Sequence, residues 1–323
     1  MMRLADLPAT IAYAYALLLG LFGGSFLNVV IHRLPRGMNI ARPPSHCPAC
    51  GARVRFYDNV PIVSYLLLRG RARCCGARIS PRYVLVEAMG GALAVAILKQ
   101  LVLPLSADTS LGRAFAVFGA DLVLALALVA IAFIDLEHMY VPDALSIGGT
   151  LFGLATFSLR PNLDWRDAAL GALVGFAVVW LPFGLVYRWI RGRTGMGLGD
   201  AKLVMMAGAW FGWTGAVFAL LAGAVQGTVV VIVLYLVGGR IAEPAAVTEE
   251  KRETEAALAL MSPEQRAEAE AHLARDPLYE PSVPGLGGSR VAFGPFLALA
   301  MLEYLLLGPE LVRGCAQWLV GPV

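Results

Sequence analysis

Residues 114–134 read AFAVFGADLVLALALVAIAFI, a stretch in which Asp121 is the only charged residue, and Asp135 follows it directly. A helix of about 20 apolar residues is long enough to cross the hydrocarbon core of a bilayer. Seven further blocks meet or approach this length, and the eight candidates cover residues 11–31, 83–104, 114–134, 144–159, 168–190, 200–213, 214–237 and 291–308. The sequence therefore predicts an all-α, polytopic integral membrane protein with about eight transmembrane helices.

The composition agrees with a membrane protein. The chain is 58% hydrophobic and 15% charged, with a mean hydropathy of +0.69, whereas a soluble domain carries about 25% charged residues. The first apolar block does not resemble a cleaved signal peptide, because Asp6 and Pro8 precede it and a basic flank follows it. We expect a retained membrane anchor, a lipid bilayer around the helices, and no nucleic-acid partner.

Arginines in the loops predict which side of the membrane each segment faces. Residues 32–82 contain ten arginines and one acid, Asp58, so the positive-inside rule places this loop in the cytoplasm. Alternating the spans places 135–143, 188–199 and 238–290 on the same side. The predicted organisation is a first transmembrane helix (1–31), a cytoplasmic Cys/Arg-rich loop domain (32–82), a transmembrane catalytic core (83–240), a charged cytoplasmic insert (241–290), and a last transmembrane helix with a tail (291–323).

Two aspartates are candidate catalytic residues. Asp135 ends one span and Asp200 begins another, so both are predicted to lie at the cytoplasmic interface. Ionisable groups at such positions are often functional, and two neighbouring carboxylates can activate water, one as base and one as acid. The alternatives are that both merely cap helix ends in water, or that the protein is a proton or cation transporter using buried acids.

The residues around Asp200 are candidates for substrate or backbone support. Gly197 and Gly199 would let a substrate peptide approach the backbone closely. Lys202 could lower the pKa of Asp200, bind a substrate carboxylate, or extend to the interface. Asp143 follows Pro142, a favoured first helical residue, so we interpret it as a first-turn acid stabilised by the helix dipole.

Two further acids lie within predicted spans. We expect Glu87 and Asp121 to have a structural role, each paired with an arginine or a tyrosine inside the helix bundle.

Ordered sequence blocks carry a family resemblance. They are Gly24–Pro35 (GSFLNVVIHRLP), Cys47–Cys50 (CPAC), Asp58–Leu66 (DNVPIVSYL), Ile79–Tyr83 (ISPRY), Phe133–Asp135 with Val141–Asp143, Gly197–Lys202 (GLGDAK) and Phe293–Leu297 (FGPFL). Together they resemble the bacterial type IV prepilin leader peptidases, a bifunctional family of GxGD-type intramembrane aspartyl peptidases and N-methyltransferases. The resemblance covers nearly the whole chain.

The resemblance implies a function and a location. It assigns the catalytic aspartates to Asp135 and Asp200, in the inner membrane of a bacterium with the active site facing the cytoplasm. The substrates would be type IV prepilins or type II secretion pseudopilins, whose basic leaders are cut after a glycine. The second activity would methylate the new amino terminus with S-adenosylmethionine, although no glycine-rich donor fingerprint is visible. A peptidase without methyltransferase activity is the alternative within the family.

Four cysteines in the arginine-rich loop are candidate zinc ligands: Cys47, Cys50, Cys74 and Cys75. A reducing cytoplasm disfavours disulfides, and Cys-x-x-Cys followed by further cysteines suggests a structural zinc site. The resemblance puts the family's third cysteine at Ala72 and its fourth at Cys75, which makes Cys74 an additional thiol. Either Cys74 or His46 could complete the ligand set; the alternative is a metal-free loop. Cys315 is expected to be a lone packing thiol.

The charged insert contains one clear helix signal. Ser262-Pro263-Glu264-Gln265 predicts a helix start with a capping box, and the helix is expected to run to about Arg275. We interpret the insert as a solvated excursion.

Overall fold

The computed structural model describes residues 3–161, 163–191, 196–237, 244–273 and 291–320. The helices in this part of the chain are α1 (Ala9–Arg33), α2 (Val63–Leu67), α3 (Arg82–Ile97), α4 (Leu111–His138), α5 (Asp143–Ala155), α6 (Trp165–Val179), α7 (Tyr187–Arg191), α8 (Leu198–Leu236), α9 (Ala245–Ala259), α10 (Pro263–Leu273) and α11 (Gly294–Val320). Over the same residues, β pairing is confined to three isolated bridges. The all-α prediction is confirmed.

The chain divides into two compact units. The first comprises Met1–Ile131, Thr156–Leu163 and Met301–Val323, and the second comprises Ala132–Ala155 and Asp164–Ala300. Within the described residues, five helical stretches are long and apolar enough to cross a membrane: Ala9–Arg33, Arg82–Val102, Leu111–His138, Trp165–Ile190 and Leu198–Leu236. Asp143–Ala155 and Gly294–Gly308 are shorter apolar helices. The protein is therefore a multi-pass membrane protein, and the count of eight crossings stays a prediction.

Glycines allow α1 and α3 of the first unit to pack backbone against backbone. A methyl group added to Gly24 would lie 2.7 Å from the Cα atom of Glu87, and one added to Gly20 would overlap the carbonyl oxygen of Gly90. Small residues of this kind drive helix association in lipid, where the hydrophobic effect is absent.

The acids within the spans of the first unit have different partners. The Glu87 carboxylate accepts a hydrogen bond of 2.7 Å from the backbone N–H of Ile62, so the expected arginine or tyrosine partner is wrong for Glu87. A backbone amide satisfies this buried acid because the chain before α2 folds against α3. Asp121 interacts electrostatically with Arg160, as expected.

Helix α8 of the second unit folds back on itself at Gly212. A methyl group on Gly175 of α6 would lie 3.0 Å from the carbonyl carbon of Val204 and 3.3 Å from the Cβ atom of Ala216. A straight helix would separate Val204 and Ala216 by about 18 Å. The reversal occurs at Gly212, whose φ of 72° and ψ of −175° are not helical. This is the boundary predicted between the blocks 200–213 and 214–237.

The described part of the insert forms α9 and α10. The Ser262 N–H donates to the Gln265 side chain at 3.3 Å, and the Gln265 N–H donates to the Ser262 hydroxyl at 3.4 Å. This reciprocal pair is the predicted capping box. The helix ends at Leu273, and Arg275 lies outside the described residues.

Candidate functional site

Asp135 lies in the last turn of α4, where the helix dipole disfavours a negative charge. Its side chain is only 5% exposed. The Oδ2 atom accepts a hydrogen bond of 2.9 Å from the backbone N–H of Gly294, the first residue of α11. A helix start carries unpaired N–H donors and a positive dipole end, so α11 compensates the charge that α4 disfavours.

Asp200 occupies the first turn of α8. The N-cap residue is Gly197, and its backbone hydrogen-bonds the Asp200 carboxylate three residues later, as in half of a capping box. Gly199 lets this turn approach the segment before α5, because a methyl group added there would lie 2.9 Å from the Cβ atom of Val141. Asp200 therefore makes a capping contact at the start of α8.

The two acids are also close enough to influence each other. The carboxylates of Asp135 and Asp200 interact electrostatically within the second unit, at the end of α4 and the start of α8. Repulsion between two such groups favours a state with one ionised and one protonated carboxyl group, as acid–base hydrolysis requires.

Lys202 binds a different acid from those expected. Its Nζ atom lies 2.6 Å from Oδ1 of Asp143, the first residue of α5. The Lys202 side chain is 18% exposed and that of Asp143 is 56% exposed. The ion pair joins the first turns of α5 and α8. Asp143 has the first-turn position that the sequence predicts.

A cavity of about 220 Å³ opens beside Gly197. Its lining is mostly apolar and includes Val179, Trp180, Leu185, Met196 and Leu198, with Arg188 as the charged member. The cavity can accommodate an apolar side chain close to the start of α8. Neither this cavity nor the contact between Gly294 and Asp135 was predicted; the FGPFL block at residues 293–297 was the only sequence signal for the contact.

Family models match two parts of the chain. The Bacterial Peptidase A24 N-terminal domain matches residues 18–101, and the Type IV leader peptidase family matches residues 122–232. A Myxococcus xanthus protein named prepilin leader peptidase/N-methyltransferase is 37% identical, covering 93% of this chain and 91% of that relative. The chain belongs to the type IV leader peptidase family.

Other members of the type IV leader peptidase family carry the same name. The Pseudomonas aeruginosa protein is 36% identical over 72% of this chain and 85% of its own length. The Klebsiella pneumoniae protein is 37% identical over 62% of this chain and 85% of its own length. No solved structure matches the chain.

The cysteines of this family member lie on two loops with the same backbone hydrogen bonds. In the first loop, the Cys47 N–H donates to the carbonyl of Ala52, and the Gly51 N–H donates to that of Cys47, both at 2.8 Å. The second loop repeats this pattern at the same distances: the Ala72 N–H donates to the carbonyl of Ala77, and the Gly76 N–H donates to that of Ala72. Ala72 therefore occupies the place of Cys47, and Cys75 that of Cys50.

Cys74 brings a fourth sulfur to the cluster. The Sγ–Sγ distances are 3.4 Å from Cys50 to Cys74, 3.7 Å from Cys47 to Cys75, and 3.9 Å from Cys74 to Cys75. All four sulfurs lie within 4.8 Å of one another. Tetrahedral zinc with bonds of about 2.3 Å separates its sulfur ligands by about 3.8 Å, so the four thiols fit the ion.

The thiols ionise unequally. Hydrogen bonds from the backbone at Ala49 and Cys50 lower the pKa of Cys47 to about 7. The hydrogen bond with Cys50 and, to a smaller extent, desolvation raise the pKa of Cys74 to about 12. A bound cation would offset this cost, because coordination deprotonates a thiol outright. The Nδ1 atom of His46 lies 3.3 Å from the carbonyl of Pro44, and His46 is not in the cluster.

Cys315 falls in a part of α11 whose side chains lie outside the described residues.

Proposed function

We propose that this chain removes the leader peptide from type IV prepilins or type II secretion pseudopilins, with Asp135 and Asp200 as the catalytic pair. The observation that carries the proposal is the electrostatic interaction between two acids from the ends of two different helices, in a chain of the type IV leader peptidase family. The relatives' name, prepilin leader peptidase/N-methyltransferase, supplies the substrate class.

The proposed chemistry is hydrolysis of a peptide bond by an activated water molecule. One carboxylate takes a proton from the water as its oxygen attacks the carbonyl carbon of the scissile bond. The other carboxyl group, which is protonated, supplies a proton to the nitrogen as the bond breaks and the amine departs. The Gly294 and Gly197 backbones hold the two carboxylates in place. The apolar cavity beside Gly197 would receive a substrate side chain near the cleavage site.

The active site is proposed to face the cytoplasm from the bacterial inner membrane. The ten arginines of residues 32–82 support this orientation, because positively charged loops are retained on the cytoplasmic side. The basic leader of a prepilin would reach the acidic pair from that side.

The second proposed step transfers a methyl group from S-adenosylmethionine to the new terminal amine. The name of the relatives, prepilin leader peptidase/N-methyltransferase, supports this step. Mass spectrometry of the mature pilin after reaction with an isotopically labelled donor tests the step. A labelled terminal methyl group is expected; cleaved but unmethylated product would leave a peptidase alone.

The cysteine cluster is proposed to hold a structural zinc ion through Cys47, Cys50, Cys74 and Cys75. The fit of the sulfur distances to a tetrahedral ion supports the site. Zinc would stabilise a loop domain that is too small for a large apolar core. Metal analysis of the purified chain should give one zinc ion, and Cys47→Ser should lose it.

Asp135→Asn and Asp200→Asn test the peptidase, with Asp143→Asn as the matched control. Each catalytic variant should reduce cleavage of a prepilin in nanodiscs to background, because it removes one proton-transferring group. Asp143→Asn should cleave within about threefold of wild type, since it loses only a partly exposed ion pair. Near-normal cleavage by either catalytic variant would contradict the assignment. A transporter would show no cleavage even in the wild type.

A further inference from the structure

The short helix α2 exposes an apolar face. Val63, Leu66 and Leu67 lie on one side of it at helical spacing, and Leu66 and Leu67 are 65% and 77% exposed. The opposite side is polar and buried: the Ser64 hydroxyl donates to the carbonyl of Tyr57 at 2.9 Å. This is the reverse of the pattern for a helix on a soluble core, where the apolar face points inward.

A second exposed apolar residue is tied to the same element. Phe56 is 88% exposed and begins the 3-10 turn Phe56–Asn59. The hydrogen bond from Ser64 to Tyr57 joins this turn to α2, so Phe56 and the α2 face belong to one folded segment. We name this segment, residues 56–67, the apolar loop segment.

The apolar loop segment is held against the first turns of α3. The Ile62 N–H, immediately before α2, donates to the carboxylate of Glu87. Glu87 lies five residues into α3, about 7.5 Å along the helix axis from Arg82. Ile62 has a φ of 60°, which is unfavourable for a β-branched residue. The contact therefore holds α2 beside the first turns of α3, which begins a stretch long and apolar enough to cross a membrane.

The loop domain that contains this segment is rich in exposed arginines. Among residues 32–82, the exposed arginines are Arg36, Arg42, Arg53, Arg55, Arg69, Arg71, Arg73 and Arg78. The one acid in this range, Asp58, already accepts hydrogen bonds of 2.9–3.1 Å from the Nε and Nη2 atoms of Arg73. The surface therefore has charge available for an anionic partner, and it would repel a basic leader peptide.

We propose that the apolar loop segment inserts into the leaflet where α1 ends and α3 begins, and that the surrounding arginines bind anionic phospholipid headgroups. Exposed apolar residues beside clustered arginines are the pattern of interfacial anchors. The partner is an anionic phospholipid, and the contact fixes the cysteine-containing loop domain on the membrane surface. This inference does not depend on the proposed catalytic function.

A photoreactive benzoylphenylalanine in place of Leu67 tests the insertion. The full chain is placed in nanodiscs of equal phosphatidylglycerol and phosphatidylcholine, together with a prepilin, and adducts are identified by mass spectrometry. The matched control is the same probe at Leu260, which is 90% exposed between α9 and α10. We expect lipid adducts at position 67 with at least about tenfold the yield at position 260. Adducts to the prepilin alone, or equal lipid yields at both positions, would overturn the proposal.

Arginine substitutions test the headgroup contact. In the chain that carries the probe at position 67 and all native arginines, the lipid adducts should be enriched in phosphatidylglycerol at least about twofold over the nanodisc mixture. Arg55→Gln with Arg69→Gln should reduce this enrichment, since the two arginines flank the segment. Arg252→Gln with Arg266→Gln is the control pair in the insert and should leave it unchanged. Absence of enrichment when all native arginines are present, or enrichment that survives the Arg55 and Arg69 changes, would contradict the role of the arginines. An unchanged far-ultraviolet circular dichroism spectrum shows that each variant is folded.

Discussion

Gly294 holds the carboxylate of Asp135 with its backbone and leaves space for it by having no side chain. A methyl group at this position would lie 2.7 Å from Oδ2 and 3.1 Å from Cγ of Asp135. Contacts this short force the carboxylate or the start of α11 to move. The absence of a side chain at Gly294 is therefore what allows the contact. Gly294 lies 159 residues from Asp135 in the chain, so the sequence alone does not indicate it.

Gly294→Ala should lower leader cleavage at least about tenfold, equivalent to about 1.4 kcal/mol in the activation free energy. The loss should appear in kcat more than in KM, because Asp135 is displaced and the substrate contacts are kept. Gly148→Ala is the matched control, since a methyl group at Gly148 meets no atom within 4 Å. Steady-state cleavage of a prepilin measures both variants. Unchanged kcat in Gly294→Ala would show that the contact does not position Asp135.

The role of Lys202 could be predicted from the sequence only in part. Its place two residues after Asp200 was compatible with lowering the pKa of Asp200, binding a substrate carboxylate, or extending to the interface. The structure pairs it with Asp143, which starts another helix. Both residues were singled out from sequence, but their pairing depends on how α5 and α8 pack, which one sequence without structure does not specify. A partly exposed pair of this kind contributes roughly 0.2–1 kcal/mol to stability.

In helix α8, a single residue, Gly212, divides one long apolar helix into two antiparallel segments. The 39 residues from Leu198 to Leu236 would extend about 58 Å if straight, roughly twice the thickness of a hydrocarbon core. The reversal at Gly212 resolves this mismatch. It also brings Gly223 and Gly227 of the second segment against the start of α11.

Gly212→Ala should lower the free energy of unfolding by about 1–3 kcal/mol, because the φ of 72° with ψ of −175° is accessible essentially to glycine alone. Gly148→Ala in α5 should be neutral or stabilising by up to about 1 kcal/mol, since it gains helix propensity without a contact. Thermal unfolding in detergent, followed by tryptophan fluorescence, compares the two. Equal midpoints would show that the turn accepts an ordinary residue.

The matching backbone of the two cysteine loops allows a test of whether Cys74 is a zinc ligand. Because Ala72 repeats the backbone hydrogen bonds of Cys47, a cysteine at position 72 would direct its sulfur as Cys47 does. Cys74→Ser should lose zinc, and Ala72→Cys combined with Cys74→Ser should regain one ion per chain. Metal analysis of the purified full chain measures this. Full zinc content in Cys74→Ser alone would exclude Cys74 as a ligand.

The elements themselves were largely readable from sequence. The apolar blocks mark α1, α3, α4, α5, α6, both segments of α8, and α11, because lipid demands long apolar helices that satisfy their own backbone. The capping box at Ser262 and Gln265 is local chemistry and was predicted with its partners. The inward contacts of Glu87 were not, because its partner is a backbone amide in a strained turn, and backbone groups leave no signature in side-chain patterns.

Across the whole molecule, the reversal of α8 predicts which residues lie on opposite sides of the membrane. Asp200 lies in the first turn of α8, the helix reverses at Gly212, and the second segment returns toward the end where α8 started. Trp213, at the turn, is therefore expected on the opposite side of the membrane from Leu260, which follows that second segment in the chain. Loop arginines predict that the Leu260 side is cytoplasmic.

A membrane-impermeant maleimide measures this directly. Trp213→Cys and Leu260→Cys both place a thiol where the native side chain is exposed, at 58% and 90%, and peptide mass spectrometry separates the new sites from the native cysteines. In intact spheroplasts, Trp213→Cys should be labelled and Leu260→Cys should not; after permeabilisation, both should react. The expected difference depends on α8 crossing the membrane twice. Labelling of both sites from the same side would mean that the reversal at Gly212 occurs within one leaflet, and the acidic pair would then need a different path for its substrate.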